Sequence, residues 1–213
     1  LFEYMALGDS ITVGVGASSR CCAYPWLIKQ SLVQKLASPV GLRVVARSGW
    51  TSAALMTSLF SQDPNLIRRS NVIVIWIGGD DLVKAGRAIL RGRDSKLLTL
   101  MLTRYKQNLN TMICGIKRIS NAKIILCTQY NPFPNSPIAI SSIQSLNQIT
   151  KAAATCHRTE LALIHLAFAG HEAQLIQCYN GGRIEDVFNG TTPPIHPNNA
   201  GQRVAADVIY PRF

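Results

Sequence analysis

The chain of 213 residues is long enough to bury one core of ordinary domain size, and with 47% hydrophobic and 15% charged residues it is not a disordered chain. Its formal net charge of +11, from 22 Lys and Arg against 11 Asp and Glu, invites an anionic partner. The basic residues are scattered, however. The tightest groups, Arg68-Arg69 and Arg91-Gly-Arg93, are short, and no basic run alternates with aromatics, so nucleic acid is not the expected partner.

Taken in chain order, residues 2–7 and 42–46 form short apolar runs that predict strands. The clearest strand is 72–77, β-branched and bounded by Asn71 and Gly78, with the unbroken apolar character of a strand covered on both faces. Leu98, Met101, Tyr105, Met112, Ile116 and Ile119 then recur at helical spacing and predict one long amphipathic helix. A further strand is expected at 123–128, followed by a Pro-rich loop over 131–137. Ile143, Leu146, Ile149 and Ala153 mark the next helix, and 161–166 the last strand, with His165 as a core residue at its end. The final helix begins near Asn198, a good N-cap, and carries Ala200, Val204 and Val208 on one face. This alternation predicts β-α-β units around a parallel sheet, in one domain spanning 1–213 without repeat or linker.

The six cysteines (Cys21, Cys22, Cys114, Cys127, Cys156 and Cys178) form no C-x-x-C pair and no metal-ligand spacing with His. Reduced thiols and no metal are expected, with Cys127 a small buried hydrophobe. No signal-peptide pattern and no apolar stretch of membrane-spanning length is visible. A cytoplasmic location is the expectation, although the chain opens at Leu1 and an upstream segment has room to precede it. Oligomeric state is not legible in these residues.

In an open parallel sheet, ligands gather beyond the carboxyl ends of the strands. Four segments fall at such ends or on a late loop: Gly8-Asp9-Ser10, Ser48-Gly49-Trp50, Gly78-Gly79-Asp80-Asp81 and Ile195-His196-Pro197-Asn198. Gly8 permits a tight turn that presents the Ser10 hydroxyl at the start of the next segment, though Gly-Asp-Ser alone reads equally as a helix cap. A hydroxyl needs a neighbouring base, and His196, steadied by Pro197 and Asn198, is the best-placed imidazole among the four histidines. Gly14-Val-Gly16 lacks the third glycine of a dinucleotide fingerprint, and no Walker-type Gly-Lys-Ser/Thr occurs.

In this order the four segments resemble the blocks of the GDSL or SGNH hydrolase family from one end of the chain to the other. The resemblance implies a flavodoxin-like three-layer α/β/α sandwich with a central, mostly five-stranded parallel sheet. It also implies a serine esterase acting on small-molecule esters through an acyl-serine intermediate, with no cofactor. Carried over residue by residue, Ser10 is the nucleophile and His196 the base. The oxyanion hole falls on the backbone N–H groups of Ser10 and Gly49 and on the side chain of Asp80. Trp50, Leu82 and Ile195 adjoin the motifs and are expected to line the acyl or leaving-group site.

Two positions depart from the family pattern. Asp80 stands where the family has Asn, and an ionised carboxylate there repels the oxyanion unless burial or the neighbouring Asp81 keeps it protonated. Pro193 stands where the family has the triad Asp, three residues before His196. A main-chain carbonyl or a Ser-His dyad is the expected substitute. Glu185 and Asp186 are the nearest acids in sequence, expected as a solvated loop pair. Both departures support the alternative of a catalytically weakened binding protein with the same fold.

Overall fold

The apolar runs become five parallel strands in the order β2-β1-β3-β4-β5. They are β1 (Phe2–Gly8), β2 (Val40–Ala46), β3 (Val72–Trp76), β4 (Lys123–Cys127) and β5 (Glu160–Ala162). The computed structural model describes residues 1–92, 94, 96–188 and 192–213. Arg93 of the second basic group and Thr191, ahead of His196, lie outside the described residues.

Side chains alternate across a strand, so each apolar run feeds two cores at once. On one side, Tyr4, Ala6, Val74 and Trp76 pack against α2 (Tyr24–Leu36), α8 (Ile164–Phe168), α9 (Glu172–Leu175) and α10 (Asn199–Ile209). On the other, Met5, Leu7, Ile73 and Ile75 pack against α3 (Ser52–Phe60), α4 (Pro64–Arg69), α6 (Lys96–Ile119) and α7 (Pro137–His157). The result is the three-layer α/β/α sandwich. Two further helices, α1 (Ser10–Val13) and α5 (Gly79–Leu90), start directly at the carboxyl ends of β1 and β3. Strand order reverses between those two strands, and the crevice for a ligand lies there.

Two expectations are corrected. The predicted strand over 161–166 ends at Ala162, and Ile164 already begins α8. As the sheet's edge, β5 pairs through only three residues, up to Cys127↔Ala162. Beyond it the Thr128 hydroxyl accepts the His165 backbone N–H and contacts His165 Nδ1 at 2.8 Å, so His165 sits half-buried on a helix rather than at a strand end. In α10 the buried face is Gly201, Gln202, Ala205, Ala206 and Ile209, while Ala200 is exposed and Val204 and Val208 are only half-buried. The polar side chain at the centre explains the rotation. Gln202, fully buried, accepts the Tyr24 N–H at 2.9 Å and donates to the Ile11 carbonyl at 3.3 Å, clamping α10 onto α1 and α2.

All six cysteines are free thiols, and Cys127 is buried. Among the described residues no helix is long and apolar enough to cross a membrane, and no cluster of His, Cys, Asp or Glu is arranged to hold a metal ion.

Candidate active site

Ser10 is the first residue of α1, immediately beyond β1. The Asp9 carboxylate caps that helix by accepting the Ile11 N–H at 3.0 Å. Gly8 is needed for space: a Cβ there would lie 2.5 Å from the Trp76 carbonyl oxygen and 2.8 Å from Thr12 Cβ. The turn therefore packs directly on β3, and the Ser10 side chain is held in one place, 7% exposed.

His196 arrives on the loop before α10, which is tied down on several sides. Its carbonyl accepts the Gln177 N–H at 2.8 Å, and Asn198 N–H reaches the Leu175 carbonyl at 2.9 Å. The Tyr130 hydroxyl donates to the Ile195 carbonyl. Asn199 bonds Ser18 through both side-chain atoms, each at 2.8 Å, and a Cβ on Gly16 would sit 3.0 Å from His196 Cβ. These ties join two segments 186 residues apart, and they bring His196 Nε2 to 2.9 Å from Ser10 Oγ.

With its proton on Nδ1, the imidazole presents Nε2 as acceptor to the Ser10 hydroxyl, the arrangement a general base needs. Burial lowers the His196 pKa below its ordinary value, which keeps the ring neutral at pH 7. Nδ1 is buried and has no hydrogen-bond partner among the described residues. Among the described residues, neither the main-chain carbonyl expected as a substitute nor a carboxylate fills the position. Glu185 is exposed; Asp186, contrary to its expected solvation, is 6% exposed and accepts the Arg183 N–H at 3.0 Å.

Three carboxyl groups, on the turns that follow β1 and β3, lie near enough to raise one another's pKa. Burial pushes the Asp9 carboxyl up to about 8, with Asp80 and Asp81 adding repulsion and the Ile11 N–H opposing it. Burial also raises Asp80, with Asp81 in the same direction; Lys84, Arg87 and the Gly49 N–H act against it. Asp81 is raised by burial too, but it is structurally engaged, accepting the Ser52 N–H and hydroxyl at 2.7 Å each. Gly49 occupies a turn closed by Trp50 N–H to the Arg47 carbonyl at 3.2 Å, and its φ of +81° is one that only glycine adopts without strain.

Ser10, His196 and Asp80 all line one cavity, partly open to solvent. Leu82 and Ile195 are on its wall, with Val83, Ile89, Leu98 and Ile143. Trp50, expected beside them, is not; it packs half-buried against the core on the α3–α6 side. The wall formed by α5 went unrecognised in the sequence, although Leu82, Val83 and Ile89 follow helical spacing directly after the Gly78–Asp81 motif. Gln129 was missed as well. Its Oε1 accepts the Trp76 indole N–H at 2.9 Å, which turns its Nε2 toward Gly79 and Asp9 on the cavity floor. A single Gln after an apolar strand carries no signal that distinguishes it from an ordinary strand end.

The sequence profile of the GDSL-like Lipase/Acylhydrolase family matches residues 6–204. The chain is 26% identical over 182 residues to the spore germination lipase LipC of Bacillus licheniformis, covering 82% of this chain and 85% of that protein. Its fold is similar to that of the lipase Lip_vut3 from a goat rumen metagenome, with a TM-score of 0.85 and 22% identity over 100% of this chain and 97% of the other. It is also similar to the acetyl xylan esterase AlAXEase, with a TM-score of 0.72 and 18% identity over 99% and 98% of the two chains.

Proposed function

The chain belongs to the GDSL-like lipase/acylhydrolase family, a family of serine ester hydrolases, and from that premise we propose that it cleaves esters of small to medium acyl groups through an acyl intermediate on Ser10. The observation that carries this reading is the 2.9 Å contact between Ser10 Oγ and His196 Nε2 on the wall of an apolar cavity. His196 takes the hydroxyl proton as Ser10 attacks the ester carbonyl, then returns it to the leaving alcohol; water repeats the sequence to free the acid. The Ser10 N–H and a protonated Asp80 stabilise the oxyanion, joined by the Gly49 N–H once substrate displaces its bond to Asp80. Along α5, the wall from Asp80 to Ile89 is about 13 Å long by helical rise, which suits a medium acyl chain.

Turnover is slower on this reading than in relatives with Asn and Asp at the two departing positions, because Asp80 donates only while protonated and no described residue orients the His196 ring through Nδ1. A fluorophosphonate probe and a p-nitrophenyl ester series from acetate to palmitate test it. Labelling lost in both Ser10→Ala and His196→Ala, with kcat/KM rising toward octanoate, is the expected result. An unlabelled wild-type chain without turnover would sink the enzyme and leave a binding protein of the same fold.

A further inference from the structure

The rim of the cavity has features that hydrolysis of a dissolved ester leaves unused. Phe188 is 67% exposed and Ile138 48%, yet both line the cavity. Large apolar side chains kept in water around an opening mark a surface that meets something apolar. An adjoining depression is lined by Arg87, Arg91, Val187 and Phe188, with no acidic side chain among the described residues of its own wall, although the Arg87 charge is felt by Asp80 in the cavity beside it. Arg87, Val187 and Phe188 belong to both hollows, so the two are continuous. Arg87 and Arg91 stand one helical turn apart, on α5 and its C-cap, and both are exposed. The acidic residues of the Phe188 turn are Glu185, exposed, and Asp186, which is buried and accepts the Arg183 N–H. The whole chain carries +11, so its long-range field also draws it toward anionic surfaces.

Apolar side chains that sink below the headgroups, flanked by guanidinium groups at the level of the phosphates, are the chemistry of an anionic lipid interface. We propose that this rim docks on bilayers containing anionic phospholipids. Phe188 and Ile138 insert while Arg87 and Arg91 pair with phosphates, and the cavity opens toward the acyl chains. The purpose of docking rests on the hydrolase reading; the docking itself needs no turnover.

The test is co-sedimentation of the full chain carrying Ser10→Ala, which leaves the lipid intact, with two kinds of vesicle. One is phosphatidylcholine alone; the other has about a third of its lipid replaced by phosphatidylglycerol. Binding is expected on the anionic vesicles, weakened by salt. Adding R87Q and R91Q should lower the partition coefficient on the order of twentyfold, from the usual worth of two arginines near such a surface. R68Q/R69Q removes the same charge from α4, which leads into the opposite end of β3, and should change it less than about threefold. Phe188→Ser should weaken the binding that persists at high salt.

Equal losses in the two arginine pairs would reduce the effect to net charge and overturn the proposal, as would absence of binding to anionic vesicles. So would an unchanged partition in R91Q accompanied by a raised KM for a soluble anionic ester, which would assign the arginines to substrate. Labelling of the wild-type chain by the fluorophosphonate reads the other question. Labelling without docking removes this inference alone, and docking without labelling removes the hydrolase reading alone.

Discussion

Replacing Asp80 with Asn converts a donor that exists only in the protonated state into one present at every pH. On the proposed mechanism the oxyanion forms beside Ser10, which lines the same cavity as Asp80 and His196. Losing one donor of an oxyanion hole costs about a hundredfold to a thousandfold in kcat. At a pH where Asp80 is mostly ionised, D80N should therefore raise kcat by up to about a hundredfold with little change in KM, because the bond forms only in the transition state. The pH profile gives a second reading. On that mechanism activity needs neutral His196, so it should rise with pH through the lowered imidazole pKa. It also needs protonated Asp80, so in the wild type it falls again as pH passes that carboxyl's raised pKa. In D80N the alkaline limb set by the Asp80 carboxyl should disappear. The assay is kcat and kcat/KM for p-nitrophenyl butyrate across pH 5 to 9. A D80N chain no faster than wild type, with the same alkaline limb, would refute a protonated Asp80 as oxyanion donor.

Pro193→Asp supplies an acceptor three residues before His196, whose Nδ1 has no partner among the described residues. A carboxylate there raises the imidazole pKa, so the acid limb of kcat/KM should move to higher pH and kcat should rise about tenfold or more; an unmoved limb would show that the side chain does not reach the ring. Gln202→Ala leaves the buried Tyr24 N–H unpaired and takes one of two donors from the Ile11 carbonyl, which keeps the Gly14 N–H. The expected cost of about 3 kcal/mol lowers Tm by about 6–12 °C at this chain length, and an unchanged melting curve would refute the clamp between α10 and the Ser10 turn. Ile143→Trp fills part of the cavity wall. Displacing about two methylenes, at about 0.8 kcal/mol each, should lower kcat/KM for octanoate about fifteenfold relative to acetate; a parallel loss on both esters would place the acyl chain elsewhere.

Much of this architecture is written locally. The β-branched run that becomes β3 is apolar on both faces because two cores claim it, and the stripe from Tyr105 to Ile116 was recoverable because one face of α6 is buried along several turns. Ser10 and His196 were legible because glycine, proline and asparagine beside them specify turns and caps by their own conformational limits. Features that hang on a distant partner were not. The edge strand β5 stops at Ala162 because a hydroxyl from another strand end caps α8, and α10 turns a glutamine inward because Tyr24 and Ile11 have groups for it to bond. The same holds for the chemistry. Burial sets the charge of Asp9, Asp80 and His196, and burial is produced by packing between segments remote in sequence. The burial of Nδ1, the cavity wall along α5 and the 2.9 Å approach of the hydroxyl to the imidazole exist only once those segments have met. Periodicity and turn chemistry act over a few residues, whereas distance and dielectric belong to the folded chain as a whole.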